Sequence, residues 1–209
     1  MKKILLTLLL CSTLTVLWAQ RDSTAPRGFQ KNKLFTGGSL SLGFGTGYFL
    51  GGVNPVLGYN LTHWLDAGIA VNYTFTQQKD IVYVNDKARE SVYGGGVFTR
   101  IFPVNFLFAQ AQFEHNFINY KYIFPNNGGE ERRNLEANSL LVGAGYTSGR
   151  GNGGAYGYFS ILWDVLKNPN SPYVDGNGRL TPQVRAGINI PLFGGSRNSD
   201  FDRGGPLKR

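Results

Sequence analysis

His63 and His115 are the only imidazoles in the chain, and Cys11 is its only thiol. Acyl or peptide hydrolysis through a side-chain nucleophile needs a base beside that nucleophile, and imidazole is the usual one. Ser39, Ser41, Ser139 and Ser160 fall on one parity of an alternating apolar pattern. His115 falls on the other parity and His63 in a tight turn, so no nucleophile and base are expected together and the chain is read as a non-enzyme. The glycine series Gly43, Gly45, Gly47 and Gly149, Gly151, Gly153 superficially match phosphate-cradling loops. Such loops need a helix to follow them, whereas strand-like sequence follows both. Asp175-Gly176-Asn177-Gly178 has the look of a calcium loop but lacks the later ligands and the closing glutamate. No cofactor and no metal are expected.

A second set of residues carries charge rather than reactivity. Asp66, Arg100, Glu114, Asp164 and Arg185 all share the polar parity of their segments. Charges withdrawn from water are costly unless paired, so ion pairs are expected among them. Asp66 and Arg100 lie at matching heights on neighbouring segments, which predicts a contact between them. Such a cluster serves either as a selectivity element for a transported solute or as a polar plug, and the narrow interior of an eight-stranded barrel favours the plug. A further cluster, Lys121, Tyr122, Phe124, Arg132 and Arg133, combines basic and aromatic side chains in what reads as a long loop. Lipopolysaccharide phosphates or a protein partner would suit it; an ordinary solvated loop, with Glu130 and Glu131 offsetting the arginines, is the plainer alternative.

The elements that position these residues are strands. In a membrane barrel, side chains alternate between lipid and lumen over about ten residues. Leu65, Ala67, Ile69, Val71, Tyr73 and Phe75 alternate with Asp66, Gly68, Ala70, Asn72 and Thr74, the clearest run in the chain. The same alternation predicts strands over 37–44, 53–61, 92–102, 107–116, 137–146, 158–165 and 183–192. Pro55 sits awkwardly in the second of these, because proline has no amide to donate. Eight strands result. Alternate connections differ in length: 62–64, 102–105 and 147–153 against 77–91, 119–136 and 166–181, with 45–50 a short exception. Short turns are periplasmic and long loops extracellular in bacterial outer-membrane barrels, which places both ends of the barrel in the periplasm. Trp64, Phe102, Phe106, Tyr146 and Phe193 would form one aromatic girdle, and Tyr73, Phe75, Phe117 and Trp163 the other.

Composition agrees, with 29 glycines, 14% aromatic and only 16% charged residues. Lys2 and Lys3 followed by the apolar run from Ile4 to Trp18 read as a signal peptide over 1–19, too short for a membrane anchor. Leu10 before Cys11 argues against lipidation. A periplasmic segment over 20–33, a barrel over 34–193 and a polar periplasmic tail over 194–209 are expected to follow. The formal charge is +8, to which Lys2 and Lys3 contribute two. For an exported chain the counter-charge expected is outer-membrane lipid or lipopolysaccharide, not nucleic acid. The tail, with Arg197, Arg203, Lys208 and Arg209, offers a second place for a protein partner.

Pro55-Val56-Leu57-Gly58-Tyr59-Asn60-Leu61-Thr62, Trp64-Leu65, Gly68, Phe98-Thr99-Arg100 and the strand Gly143 to Tyr146 resemble the small outer-membrane β-barrel (porin-like) family common in Bacteroidetes-type bacteria. OmpA- and OmpX-type barrels are similar in shape at greater distance. The resemblance implies an all-β, eight-stranded antiparallel transmembrane barrel in a Gram-negative outer membrane. The ending Ile190-Pro191-Leu192-Phe193 resembles the terminal-aromatic signal of such barrels, although a polar tail through Arg209 follows it. The expected role is structural or interactive. A narrow channel for small solutes is the alternative, ahead of a lipid-modifying enzyme or a subunit of an export or motility complex.

Overall fold

The computed structural model describes residues 28–126, 128–150, 153–174 and 178–193. The expected signal peptide and tail lie outside the described residues. The barrel belongs to the unit Lys31–Arg209. A short 3-10 turn, Lys31–Lys33, leads into eight strands: β1 (Leu34–Gly45), β2 (Tyr48–Asn60), β3 (Leu65–Lys79), β4 (Lys87–Val104), β5 (Leu107–Ile123), β6 (Glu130–Ser148), β7 (Tyr156–Asp164) and β8 (Gln183–Pro191). Neighbours in sequence are neighbours in the sheet, and β8 closes on β1 through pairs such as Phe35↔Pro191 and Leu40↔Ala186. The wall is antiparallel throughout, so no strand edge is left along the closed part.

Parity sets what each strand turns inward. Asp66, Ala70 and Asn72 on β3 are buried while Ile69, Val71 and Tyr73 stand about half exposed on the outside. On β5, Gln110, Gln112, Glu114 and Asn116 face in, and Leu107, Phe113 and Phe117 face out. Leu40, Leu42, Val53, Leu57, Val97, Val142, Phe159, Trp163, Val184 and Ile188 complete an apolar outer surface. Pro55 is accommodated by a local gap. The ladder from β2 to β3 passes from Val53↔Tyr73 to Val56↔Ala70 with no change of register, as a residue without an amide hydrogen requires.

Connections at the end that carries Leu34 and Pro191, here the near end, are the turns after β2, β4 and β6; those after β1, β3, β5 and β7 lie at the far end. Three expectations need correction. The predicted long connections 77–91 and 119–136 are mostly strand, because β3–β4 and β5–β6 continue upward as paired ribbons: Lys79↔Lys87 and Ile123↔Glu130 are their last pairs. Phe102, expected in the lipid-facing aromatic girdle of the periplasmic rim, is buried inside against Phe108 and Tyr158. It keeps the inward parity of Phe98 and Arg100, while the register slips between Ile101 and Val104, where the strand ends. Trp64, Phe106, Tyr146 and Phe193 do remain exposed at that end.

Gly58 is required by packing. The Phe35 ring lies across Gly58, where an added Cβ would fall 2.2 Å from its Cζ. Phe35 thereby fills the lumen with Val56, Ala70 and Phe98.

Candidate functional site

The lumen is filled in layers, beginning at the near end. Phe102, Phe108 and Tyr158 form an apolar floor. Arg150, from the connection after β6, reaches into it: its guanidinium lies 3.4 Å from the Phe102 ring centre, donates to the His63 carbonyl at 2.8 Å and pairs with Asp66 at 3.0 Å. Arg100 sits above, among the rings of Phe98, Phe108 and Tyr158 at 4.9, 5.3 and 4.6 Å. Cation–π contacts of this kind gain strength when water is excluded.

From Arg100 a ladder climbs β5. The Arg100 Nε donates to Gln110 at 2.8 Å, the Gln110 amide to Gln112 at 2.7 Å, and the Gln112 amide to Glu114 at 2.6 Å. Residues two apart on a strand face the same way, so three consecutive inward positions form a vertical chain without any help from loops. Arg185 on β8 crosses the lumen and touches both Gln112 and Glu114 at 3.3 Å. Asn72 on β3 donates to Asn116 at 2.7 Å, joining the opposite side of the ladder. Gly94 is what lets these two amides meet, since a Cβ there would lie 2.3 Å from the Asn116 Oδ1.

The far mouth is closed by the connection after β7. Tyr173, 5% exposed, drops its hydroxyl onto Glu114 at 2.7 Å and packs on Leu141 and Leu162. Ser171 donates to Asp164 at 2.6 Å and meets Ser139 at 3.0 Å. Asp164 also accepts the backbone amides of Leu140 and Leu166. It is therefore a hydrogen-bonded anchor for the inward-folded segment.

All five expected charges, Asp66, Arg100, Glu114, Asp164 and Arg185, thus lie in the lumen and are buried. Arg185 and Glu114 form the expected kind of ion pair. The expected contact of Asp66 with Arg100 is corrected in its chemistry: the two are register partners, but the ion pair reaching Asp66 comes from Arg150, and the Arg100 Nε turns to Gln110. Arg150 and Tyr173 come from connections that fold inward, where strand parity carries no information.

The second expected cluster is divided. Lys121, Tyr122, Arg132 and Arg133 lie on the β5–β6 ribbon, not on a loop, and only Phe124 belongs to the connection. Lys121 and Arg132 pair across the ribbon and share Glu130. Those hydrogen bonds outweigh desolvation and hold the Glu130 carboxyl below its ordinary value. Arg133, on the opposite face, pairs with Glu131 at 2.6 Å. The arginines are thereby offset locally, in line with the plainer alternative. Tyr122 instead donates to Asp86 at 2.5 Å, with Phe124 edge-on to its ring at 4.9 Å.

Asp86 was not foreseen in the sequence. It is fully buried in the connection after β3, where its carboxylate accepts the amides of Ile81, Val82 and Tyr83 at 2.6, 2.8 and 2.8 Å. Burial alone would raise its pKa, but the Tyr122 hydroxyl and the three amides prevail and hold it well below the carboxylate range. The histidines stay apart from the serines. His115 meets Asn138 at 2.7 Å on the outer face, across the wall from Ser139. Among the described residues no group of acidic, histidine or cysteine side chains is placed to hold a metal ion.

No protein-family model and no curated protein matches the chain. Among solved structures, the chain is similar to Ail, the attachment invasion locus protein of Yersinia pestis, at 12% identity and a TM-score of 0.42 over 75% of this chain and 91% of that one.

Proposed function

We propose that this protein is a non-enzymatic integral barrel of a Gram-negative outer membrane, closed to solutes, with its far end turned to the exterior and used for interaction. The observation that carries the reading is the inversion of polarity across the wall. Apolar side chains such as Leu40, Ile69, Val71, Val97 and Ile188 stand more than half exposed, while Asp66, Asn72, Glu114 and Asp164 are buried on the inside. A barrel dissolved in water would gain by the reverse arrangement; one dissolved in lipid gains by this one. Closure of the sheet on itself, with β8 paired to β1, is likewise what hydrocarbon demands.

Closure of the lumen supports an interaction role over a channel. Arg100, the β5 ladder, Arg185 and Tyr173 span the interior from the floor to the far mouth. The Lys121–Glu130–Arg132 group on the outer ribbon face is a reasonable contact for lipopolysaccharide, and the ribbons offer surface for a protein partner.

Planar-bilayer recording of the refolded protein tests the reading, with a Glu114→Ala/Tyr173→Ala variant alongside. A silent protein and a conducting variant are expected. Steady openings in the unmodified protein would replace the interaction role with transport. Failure to acquire heat-modifiable mobility in detergent would remove the membrane reading itself.

A further inference from the structure

The connection after β3 is unlike the other far-end turns. Ile81, Val82, Tyr83 and Val84 are consecutive, and they are 43%, 68%, 59% and 78% exposed. Four apolar side chains in a row at a loop tip are costly in water. They are also held rigidly, since Asp86 takes the first three amides, the Asp86 amide donates to the Tyr83 carbonyl at 3.2 Å, and Asp80 accepts the Asn85 amide at 2.6 Å. Asp80 and Asn85 adopt φ of 56° and 70° to turn the chain so tightly. The amides of Ile81, Val82, Tyr83 and Asn85 are thus satisfied from within, and the side chains at the tip are free to face outward.

Beneath the tip, Lys79 and Lys87 are direct cross-strand partners. Like charges placed opposite one another destabilise a ribbon unless a counter-charge arrives, and the flanking carboxylates of Asp80 and Asp86 are taken by the loop's own amides. Below them Gln77 and Arg89 are joined by a hydrogen bond at 3.2 Å, and below those come Phe75 opposite Ser91 and then Tyr73 and Tyr93 of the apolar outer surface. From Tyr73 to Ile81 the chain climbs about 20 Å, taking roughly 3.3 Å per residue and a tilt near 40°. The headgroup layer on one side of a bilayer is only ~6 Å deep. The tip therefore stands clear of the phospholipid that would surround the barrel.

We propose that the Ile81–Val84 tip is an insertion finger for a second, apposed lipid bilayer bearing anionic headgroups, with Lys79 and Lys87 as the headgroup contact. This rests on the membrane reading above. Entry into hydrocarbon favours backbone amides that already have partners, and Asp86 supplies them for Ile81, Val82 and Tyr83. The lysines lie two to six residues from the apolar side chains, a depth of several ångströms that matches the shallow insertion of interfacial segments.

The test uses the full refolded chain in nanodiscs of phosphatidylcholine, floated with vesicles of phosphatidylcholine alone or with added phosphatidylglycerol. Co-flotation with the anionic vesicles is expected, weakening with salt. Val82→Asp/Val84→Asp should lower binding at least about tenfold, and Lys79→Glu/Lys87→Glu about fivefold per lysine. Absence of co-flotation by the unmodified protein overturns the proposal, as does undiminished binding by the Val82→Asp/Val84→Asp variant. Failure to enter nanodiscs would instead overturn the membrane reading on which it rests.

Discussion

Glu114 and Asp86 are both carboxylates removed from solvent, and they organise opposite kinds of structure. Glu114 is served by side chains from distant places: Gln112 and Asn116 on its own strand, Arg185 on β8 and Tyr173 from the last connection. Asp86 is served by its own loop, through three amides within five residues, with Tyr122 as the one remote donor. The first arrangement fills a volume and ties three parts of the barrel together. The second shapes a surface and binds almost nothing else. Where a buried charge draws its partners from decides whether its loss is felt globally or locally.

The sharpest test of that difference is Glu114→Ala. It leaves the Arg185 guanidinium buried without its counter-charge, which costs about 3–5 kcal/mol. A lower urea midpoint for the detergent-folded barrel, read by heat-modifiable mobility, is expected. An unchanged midpoint would show that the lumen is wet enough to solvate Arg185, and the contrast with Asp86 would collapse. Asp66→Ala addresses the floor in the same way, leaving Arg150 stacked on Phe102 with its carboxylate gone. A loss of similar size, ~3 kcal/mol, is expected.

Tyr173→Phe removes one hydroxyl and keeps the ring between Leu141 and Leu162. The hydroxyl donates to the Glu114 carboxylate and accepts from Asn72 at 3.4 Å, and loss of the bond to the charged group costs about 1.5–3 kcal/mol. Because the hydroxyl also pins the last connection into the mouth, faster amide exchange should be confined to 166–174. Exchange that spreads into β5 would mean that the connection holds the ladder together instead of merely covering it.

Strand parity was legible because each wall residue faces one of two solvents. The alternation of Leu65 to Phe75 identifies β3 without ambiguity, and the same rule assigned Asp66, Glu114 and Arg185 to the lumen. It stops being informative above the apolar surface, where both faces of a ribbon turn polar. Lys121, Glu130 and Arg132 therefore read as loop, although they are paired strand. Side chains contributed by connections escaped entirely. Arg150, Tyr173 and Asp86 depend on chain reversals, and the Asp86 partner Tyr122 is 36 residues away with no local mark of the pairing. Phe102 was misassigned although parity was informative there, since it follows the inward Arg100 by two residues and shares its face.

The smallest effect on the barrel, and the most selective, belongs to Asp86. In the folded protein its pKa is depressed, so its contribution is complete above the unfolded value, close to 3.8, and is lost as pH falls through the lower folded value. Amide signals of Ile81, Val82 and Tyr83 should therefore hold steady from neutral pH to about pH 4 and shift together only in stronger acid. Asp86→Asn removes the charge at every pH. Its tip amides should exchange faster throughout and lose that acid transition, with the urea midpoint of the barrel unchanged. If the midpoint fell as far as in Glu114→Ala, the loop would be part of the fold's cooperative core, and a carboxylate that closes only on its own chain would no longer be a local device.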